Sequence, residues 1–292
     1  MRILVTGGSG FLGSHVADAL TEAGHETIVF DRAPSRWIGP KQRMIVGDVL
    51  DAGAVATAME GCGAVYHLAA LADIDAALER PRETVEVNIM GTVNLLEAAR
   101  AAKIGRFVFS SSIYVYSRQG SFYRTTKQAC EHLIEDYRER FGLAYTILRY
   151  GSLYGPRADR SNYLHSLLAQ ALEARRMDHY GTGDEVREYI HVRDAAAMSV
   201  DVLAPEFADQ IIHLAGRERM TSRDMLAMIR EMLGGDVTVN FENALSPGHY
   251  VQTPYNYTPR LGRRLTRDTY IDLGLGLLDC LQQIDAERTQ ER

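Results

Sequence analysis

The sequence is poor in cysteine and contains no long apolar run. Its three cysteines, Cys62, Cys130 and Cys280, are far apart and odd in number, so they give neither a disulfide framework nor the ligand spacing of a metal site. The apolar runs fall short of the roughly 18 residues that a membrane span needs, and the first one is too short for a signal peptide. We therefore expect a cytoplasmic protein that binds no metal and no membrane.

An excess of positive charge is missing as well. The formal net charge is −6 at pH 7 and the isoelectric point is about 5.9, so no basic surface would attract nucleic acid. Any phosphate-bearing ligand must therefore be bound locally. What the 292 residues do contain is 46% hydrophobic residues, which is enough for a sizeable core and excludes a mainly disordered chain.

Apolar runs typical of strands alternate with helical segments through the first half of the chain, which is the pattern of a parallel sheet covered by helices on both faces. We predict strands near residues 2–6, 26–30, 43–47, 64–68, 105–109 and 144–149. Helices are predicted near residues 11–23, 51–59, 81–102 and 123–141. The expected fold is therefore α/β, with a Rossmann-type doubly wound parallel sheet.

The pattern loosens after Gly155 and Pro156. The remaining predicted elements are a strand near 209–214 that could rejoin the main sheet, an irregular loop over 243–263, and helices near 162–175, 193–203 and 221–233. We predict a Rossmann domain over residues 1–155, which segments near 188–215 rejoin, and a smaller C-terminal substrate-binding lobe formed mostly by residues 156–292.

A glycine-rich turn joins the first predicted strand to the first helix. Gly8, Gly10 and Gly13 satisfy the pattern G-x-G-x-x-G, while Gly7, Gly10 and Gly13 satisfy G-x-x-G-x-x-G. Glycine is needed there because the chain turns tightly, approaches a pyrophosphate with its backbone, and packs the helix against the strand. We predict that a dinucleotide binds to this turn, at Gly7, Gly10, Phe11, Leu12 and Gly13.

An acidic residue, Asp31, follows at the end of the second strand, 18 residues after Gly13. A carboxylate there can accept both ribose hydroxyls of adenosine and would repel a 2′-phosphate, so NAD is predicted rather than NADP. Arg32 leaves NADP open, since an arginine beside the carboxylate could tolerate that phosphate. Asp48 and Val49 follow the third strand, where Asp48 could bind the adenine amino group, cap the next helix, or do both.

A tyrosine and a lysine, Tyr123 and Lys127, are four residues apart on one predicted helix, which places the ammonium near the phenol. Positive charge stabilises a phenolate, so Lys127 together with an oxidised nicotinamide could make Tyr123 a base near neutral pH. A serine run over 110–112 follows the fifth strand at the edge where ligands bind to such sheets. A hydroxyl there could hold a substrate oxygen.

These motifs, in this order, resemble the extended short-chain dehydrogenase/reductases, within the NAD-dependent epimerase/dehydratase family that acts on nucleotide sugars. The resemblance spans roughly residues 1–235. It rests on the serine run, on Tyr123 with Lys127, and on the segments Thr6–Gly13, His67–Ala70, Asn88–Thr92, Leu148–Tyr150, Tyr154–Arg157 and Arg187–Val192.

The resemblance implies a role for each matching residue. The family's catalytic hydroxyl corresponds to Ser112, its base to Tyr123, and its ribose-binding lysine to Lys127. Further cofactor contacts are implied for Asp31, Asp48, Leu68, Ala69, Ala70 and Tyr150. The sugar nucleotide is expected to face Ser111, Ser152, Tyr189 and Arg187, with the arginine at the diphosphate. His191 is interpreted as a structural histidine rather than a catalyst.

The chain departs from the family pattern at three places. Ser112 and Tyr123 are only 11 residues apart, which favours a more open substrate cavity. Ile113 and Tyr114 replace the Asp-Glu pair of the 4,6-dehydratases, so that reaction is not expected. The segment Ser246–His249 replaces an Arg-Pro-Gly-Asp motif that contacts the nucleotide, and the missing charge could come from Arg260 or Arg263.

The expected reaction is epimerisation of a nucleotide-diphosphate sugar, similar to that of the UDP-hexose 4-epimerases. Tyr123 takes the proton of the C4 hydroxyl, and NAD takes the hydride from C4. The resulting ketone then turns over in the pocket and is reduced on its other face. A net dehydrogenase or reductase of a nucleotide-linked sugar is the alternative, and a non-catalytic dinucleotide-binding sensor is a further one. The helices near 81–102 and 123–141 resemble those through which family members dimerise, so a homodimer is expected.

Overall fold

The computed structural model describes residues 1–242 and 262–290. Its strands are β1 (Arg2–Thr6), β2 (Glu26–Asp31), β3 (Gln42–Val46), β4 (Ala64–His67), β5 (Arg106–Ser112), β6 (Tyr145–Tyr150), β7 (Ser152–Tyr154), β8 (Arg176–Tyr180), β9 (Val186–His191), β10 (Gln210–Leu214), β11 (Arg219–Thr221), β12 (Thr238–Glu242) and β13 (Arg263–Arg264). Its helices are α1 (Phe11–Glu22), α2 (Ala52–Met59), α3 (Ile74–Glu79), α4 (Pro81–Val85), α5 (Gly91–Ala101), α6 (Ser121–Phe141), α7 (Tyr163–Ala174), α8 (Val192–Asp201), α9 (Ser222–Met232) and α10 (Leu273–Gln290).

Eight of these strands form one sheet in the order β13-β10-β6-β5-β4-β1-β2-β3, and each neighbouring pair is parallel. The inner strands are apolar on both faces because helices cover both: α2, α5 and α6 pack on one face, and α1 and α8 on the other. The predicted doubly wound parallel sheet is confirmed. Its strand order reverses between β1 and β4, and ligands of such sheets bind at the carboxyl ends of the strands beside that reversal.

The helix predicted over 81–102 is formed, but it is not a regular α-helix throughout. A π-helical turn, Glu86–Met90, lies within it and joins α4 directly to α5. Asn88 lies in this turn with its side chain directed inward, where its amide bonds both the backbone N–H and the carbonyl of Leu71 and donates to the Thr126 hydroxyl. The turn inserts an extra residue into the helix, which a regular hydrophobic period cannot indicate.

The chain after residue 155 builds a second core while returning to the main sheet. β10 pairs with β6 at the edge of the large sheet, as predicted for the strand near 209–214. β9 instead joins a small sheet with β7 and β11, and β12 pairs with β8. Helices α7, α9 and α10 pack around the second core. The division at residue 155 stays a prediction, and most of the predicted loop, residues 243–261, lies outside the described residues.

No helix within residues 1–242 and 262–290 combines the length and the apolar character that crossing a bilayer requires. Across the same two ranges, no three His, Cys, Asp or Glu side chains converge to hold a metal ion. The three cysteines are buried as free thiols.

Candidate active site

A cavity of about 830 Å³ lies at the carboxyl edge of the main sheet. One end is formed by the glycine turn after β1, and the other by β7 to β9 and the start of α7. Its volume is in the range of cofactor and substrate sites. Most of the residues predicted to bind cofactor or substrate line this cavity; Lys127 and Arg263 do not. Those that do are Gly7, Gly10, Phe11, Leu12, Gly13, Asp31, Arg32, Asp48, Val49, Leu68, Ala69, Ala70, Ser111, Ser112, Tyr123, Tyr150, Ser152, Arg187 and Tyr189.

The glycine turn is shaped so that side chains cannot be accommodated. Gly7 has φ +70°, and a Cβ there would lie 2.6 Å from the backbone nitrogen of Ala69. A Cβ on Gly13 would lie 2.1 Å from the carbonyl oxygen of Gly7. Helix α1 follows with Gly10 at its N-cap, where no side chain accepts from the first-turn N–H groups. The turn therefore fits a pyrophosphate, which would accept from those N–H groups and lie at the positive end of the helix dipole.

The carboxylates at the ends of β2 and β3 are held by backbone donors. Asp31 Oδ2 accepts a hydrogen bond from the Ser9 backbone N–H at 3.0 Å. Asp48 Oδ1 accepts from Leu50 N–H at 2.9 Å. The alternative role of Asp48 as a helix cap is wrong, because Asp51 caps α2 by accepting from its first-turn N–H groups. Asp48 is thereby left facing the cavity.

The three catalytic candidates meet where β5 and α6 adjoin. Strand β5 continues three residues beyond its predicted end and carries Ser112 to the cavity wall, where its hydroxyl lies close enough to the Tyr123 phenol to lower that group's pKa. Lys127 lies one helical turn further along α6 and is buried. Its Nζ donates to the Ser110 carbonyl at 2.6 Å and lies 5.7 Å from the centre of the Tyr123 ring.

Burial dominates the protonation of both groups. It raises the pKa of Tyr123 to about 12, with the Ser112 hydroxyl acting in the opposite direction. It lowers the pKa of Lys127 to about 8. The expected lowering of the Tyr123 pKa by Lys127 is not seen in the chain alone, because the ammonium is turned toward the Ser110 carbonyl and the phenol is desolvated. Tyr123 is therefore a phenol at neutral pH until further positive charge lies beside it.

Two predicted ligand residues direct their hydroxyls away from the cavity. Ser111 donates to Glu131 Oε1 at 2.5 Å, because alternation along β5 turns it to the face opposite Ser112. The Tyr150 hydroxyl is bonded to Ser199 of α8 at 2.7 Å. The expectation that Ser111 binds substrate through its side chain is not supported by this geometry.

The lobe side of the cavity contains a hydrogen-bonded row that the sequence reasoning missed. The Tyr163 hydroxyl bonds His179 Nδ1 at 2.6 Å, and His179 Nε2 bonds Glu185 at 2.9 Å. Hydrogen bonds, from His179 among others, outweigh burial and lower the pKa of Glu185. Asn162, the N-cap of α7, lies beside them and was missed as well. Asparagine is a favoured helix N-cap, so the sequence Asn162-Tyr163 could have been used to predict that both residues lie at the start of a helix.

Two further candidates, His191 and Arg263, lie apart from the cavity. His191 is buried at the N-cap of α8, where its Nδ1 accepts from Arg193 N–H, in agreement with its interpretation as a structural histidine. Arg263 lies on β13 with its guanidinium over the ring of Phe207, so it does not supply charge to the nucleotide site. The segment 246–249 and Arg260 lie outside the described residues.

Residues 3–215 match the model of the NAD dependent epimerase/dehydratase family. The chain is 29% identical over 266 residues to the UDP-glucose 4-epimerase of Corynebacterium glutamicum, covering 80% of this chain and 81% of that one. It is 28% identical over 261 residues to a dTDP-glucose 4,6-dehydratase of Streptomyces antibioticus, covering 80% and 78%. The crystal structure of the Thermus thermophilus UDP-glucose 4-epimerase in complex with NAD has a TM-score of 0.84 and 26% identity, covering 98% of this chain and 99% of that one. Because the family match takes in the glycine turn, the serine run and the Tyr-Lys pair, the chain belongs to the NAD-dependent epimerase/dehydratase family.

Proposed function

We propose that this chain is an NAD-dependent nucleotide-sugar epimerase that acts at C4 of a UDP-hexose by transient oxidation and re-reduction. The observation that carries the proposal is that Ser112 and Tyr123 lie together on the wall of a cavity whose far end is shaped for a dinucleotide. A positioned tyrosine and a hydroxyl donor are what removal of an alcohol proton requires. The likeness to two UDP-glucose 4-epimerases supports the same class of substrate.

The residues after Ser112 favour epimerisation over dehydration. Elimination of water across C5 and C6 needs an acid and a base beside the catalytic hydroxyl. Ile113 is buried there and Tyr114 lines the cavity, so neither position supplies a carboxylate beside Ser112. Oxidation and return at C4 needs no second acid-base pair, so the residues present are sufficient for it.

Each candidate residue then has one task. The glycine turn, the start of α1 and Asp31 would hold NAD, which when bound supplies the hydride acceptor and a positive ring that favours the phenolate. Tyr123 takes the proton of the C4 hydroxyl and later returns it. Ser112 donates to the same substrate oxygen and polarises it once it is a carbonyl. Lys127 adds positive charge behind the base.

Inversion at C4 also requires the ketone to present its other face. Arg187, on the lobe side of the cavity, would bind the diphosphate, so that the sugar is tethered at one end and can turn. The link between Ser112 and Tyr123 is short, comprising a 3₁₀ turn and the residues up to α6. We infer that this brevity leaves room for the turning sugar.

The reaction should convert UDP-glucose and UDP-galactose into one another in D₂O without placing deuterium on carbon. The hydrogen removed from C4 is the one returned, so it does not exchange with solvent, whereas elimination across C5 and C6 introduces solvent hydrogen. Proton NMR of the products, with absorbance at 340 nm recorded alongside, measures both. UDP-, dTDP-, GDP- and CDP-sugars are compared in parallel.

The other outcomes identify the rivals. Deuterium at C5 with loss of water would make the chain a dehydratase. Stoichiometric growth of NADH absorbance would make it a dehydrogenase that releases its cofactor. Bound NAD with no conversion of any sugar in the panel would contradict an enzyme and favour a sensor.

We also propose that the chain forms a homodimer through α4, the π-helical turn and α6. Large apolar side chains on these neighbouring segments remain exposed in the single chain, namely Val85 at 41%, Met90 at 49% and Phe122 at 41%. Burial of such a surface between two copies would stabilise the dimer.

A Met90→Lys substitution is accordingly expected to shift the protein from dimer to monomer, because it places a charge in an apolar interface. Size-exclusion chromatography with light scattering measures the mass. Leu275→Lys on α10, a site that is 64% exposed, is the matched control and should leave the mass unchanged. A monomeric wild-type protein, or a dimer that survives Met90→Lys, would contradict this interface.

A further inference from the structure

A buried ion pair lies directly behind the catalytic wall of the cavity. Arg149 of β6 donates to Glu131 of α6 twice, from Nε at 2.9 Å and from a terminal nitrogen at 2.5 Å. The two side chains are only 3% and 7% exposed. Burying two charges is costly, and apolar residues of similar volume often replace such a pair without loss of stability. The pair therefore calls for a role beyond packing.

The Glu131 carboxylate is joined to the strand that carries the catalytic hydroxyl. Its Oε1 accepts from the Ser111 hydroxyl at 2.5 Å. Ser111 stands between Ser110 and Ser112. The Ser110 carbonyl accepts from Lys127 Nζ at 2.6 Å, and Ser112 lies on the cavity wall with the base. One carboxylate thus fixes the end of β5 against the helix that carries both the base and the lysine.

The other side of the pair is anchored too. A terminal nitrogen of Arg149 donates to the Tyr116 hydroxyl at 2.5 Å. Tyr116 is in turn hydrogen-bonded to His213 of β10. Because burial lowers the pKa of His213 to about 4, that imidazole is neutral at neutral pH, and the positive charge in this row is that of the arginine.

Glu131 also places a negative charge near Lys127. The two residues are one turn apart on α6, and the carboxylate opposes the burial that lowers the pKa of Lys127 to about 8. The neighbouring Cys130 would act in the same direction only as a thiolate, and burial raises the pKa of that thiol. His67, at the end of β4, is neutral because burial lowers its pKa to about 3. Arg149 of β6 is positive and is the ion-pair partner of Glu131.

We propose that Glu131 is a positioning residue, which keeps the Lys127 ammonium charged and holds the serine run against α6, while Arg149 fixes the carboxylate in place. The effect on turnover rests on the proposed function. The charge of Lys127 can be measured without it.

Two substitutions separate this role from packing. Glu131→Gln keeps the shape and most hydrogen bonds but removes the negative charge, so Lys127 should lose its proton at lower pH. Arg149→Met removes the positive charge and leaves the carboxylate, so Lys127 should lose its proton at higher pH. A structural pair alone predicts that both variants lower the melting temperature alike and leave the lysine titration unmoved.

The chain is well suited to a direct measurement, because it contains only three lysines, Lys41, Lys103 and Lys127. Protein labelled with ¹³C and ¹⁵N in lysine gives three side-chain signals, and the exposed Lys41 and Lys103 serve as internal references. The Lys127 signal is identified with Lys127→Arg and followed from pH 5 to 11 in wild type and in both variants.

Turnover provides the second readout. A lysine that must be charged supports activity below its pKa, and that activity is lost as pH rises through it. Glu131→Gln should move the alkaline limb of the kcat profile to lower pH and lower kcat at pH 8 by about tenfold with little change in KM. Arg149→Met should move the limb the opposite way.

Unchanged or equally shifted Lys127 titrations in the two variants would overturn the proposal. If Glu131→Gln does not fold, Arg149→Met decides alone, and a titration that stays in place or moves to lower pH is then the contrary result. A wild-type protein that converts no nucleotide sugar while Lys127 shifts as expected would contradict the proposed function and leave the role of Glu131 standing.

Discussion

Tyr123→Phe is expected to lower kcat by about 10³-fold while the protein stays folded and still binds NAD. The ring remains packed at the start of α6, and the hydroxyl that is lost is the group that would accept the sugar proton. Since burial raises the pKa of Tyr123 to about 12, the phenol depends on positive charge beside it to act as a base. Interconversion of UDP-glucose and UDP-galactose measures kcat, and titration calorimetry measures NAD affinity.

The matched control is Tyr137→Phe, about four turns further along the same helix. The Tyr137 hydroxyl is hydrogen-bonded to Glu97 at the far end of α6, away from the cavity. This variant should keep wild-type kcat. Activity of Tyr123→Phe within a factor of about ten of wild type would exclude Tyr123 as the base.

Gly7→Ala is expected to weaken NAD binding by about a hundredfold and to destabilise the protein. The residue has φ +70°, which costs a side-chain-bearing residue about 1–2 kcal/mol. Its Cβ would also lie 2.6 Å from the Ala69 nitrogen, so the turn must move away from β4. Displacement of that turn moves the backbone N–H groups away from the positions at which they would donate to the pyrophosphate. Calorimetric titration with NAD and thermal unfolding of the unliganded protein measure the two effects.

Gly24→Ala provides the control for backbone strain. Gly24 has φ +86°, but a Cβ there would meet nothing within 4 Å. Gly24→Ala should therefore lower the free energy of unfolding by about 1–2 kcal/mol without changing the NAD dissociation constant. Equal NAD affinities of the two variants would show that the close approach of Gly7 to Ala69 is not what shapes the dinucleotide end.

The dinucleotide end of the cavity could be predicted because its parts are local in sequence. The glycine turn lies within one strand-turn-helix unit, and Asp31 ends the next strand. The catalytic residues were found for a similar reason, since Tyr123 and Lys127 share a helix. The inward direction of the Ser111 side chain was not predicted, because the predicted fifth strand ends at residue 109 and β5 continues to Ser112. Extended to Ser112, its alternation places Ser111 and Ser112 on opposite faces.

The substrate end was hidden because it is assembled from distant short pieces. Three different elements contribute to it: Tyr163 starts helix α7, His179 lies on strand β8, and Glu185 lies in the turn between β8 and β9. Their contacts depend on small sheets whose strands have too few residues for a clear period. Helix α10 was obscured by Gly274 and Gly276, which lower helix propensity. At Gly276 a Cβ would lie 2.6 Å from the Tyr154 hydroxyl, so glycine is required by packing.

The late return of β10 to the main sheet also has a consequence during synthesis of the protein. Strand β6 ends at residue 150 and is buried along its whole length, yet its outer neighbour begins only at residue 210. At about 5–20 residues per second, a ribosome needs several seconds to supply that neighbour. For that time the nascent chain presents an apolar, unpaired strand edge, the kind of surface that recruits chaperones or other copies of itself. A fragment released at residue 155 would keep this edge permanently.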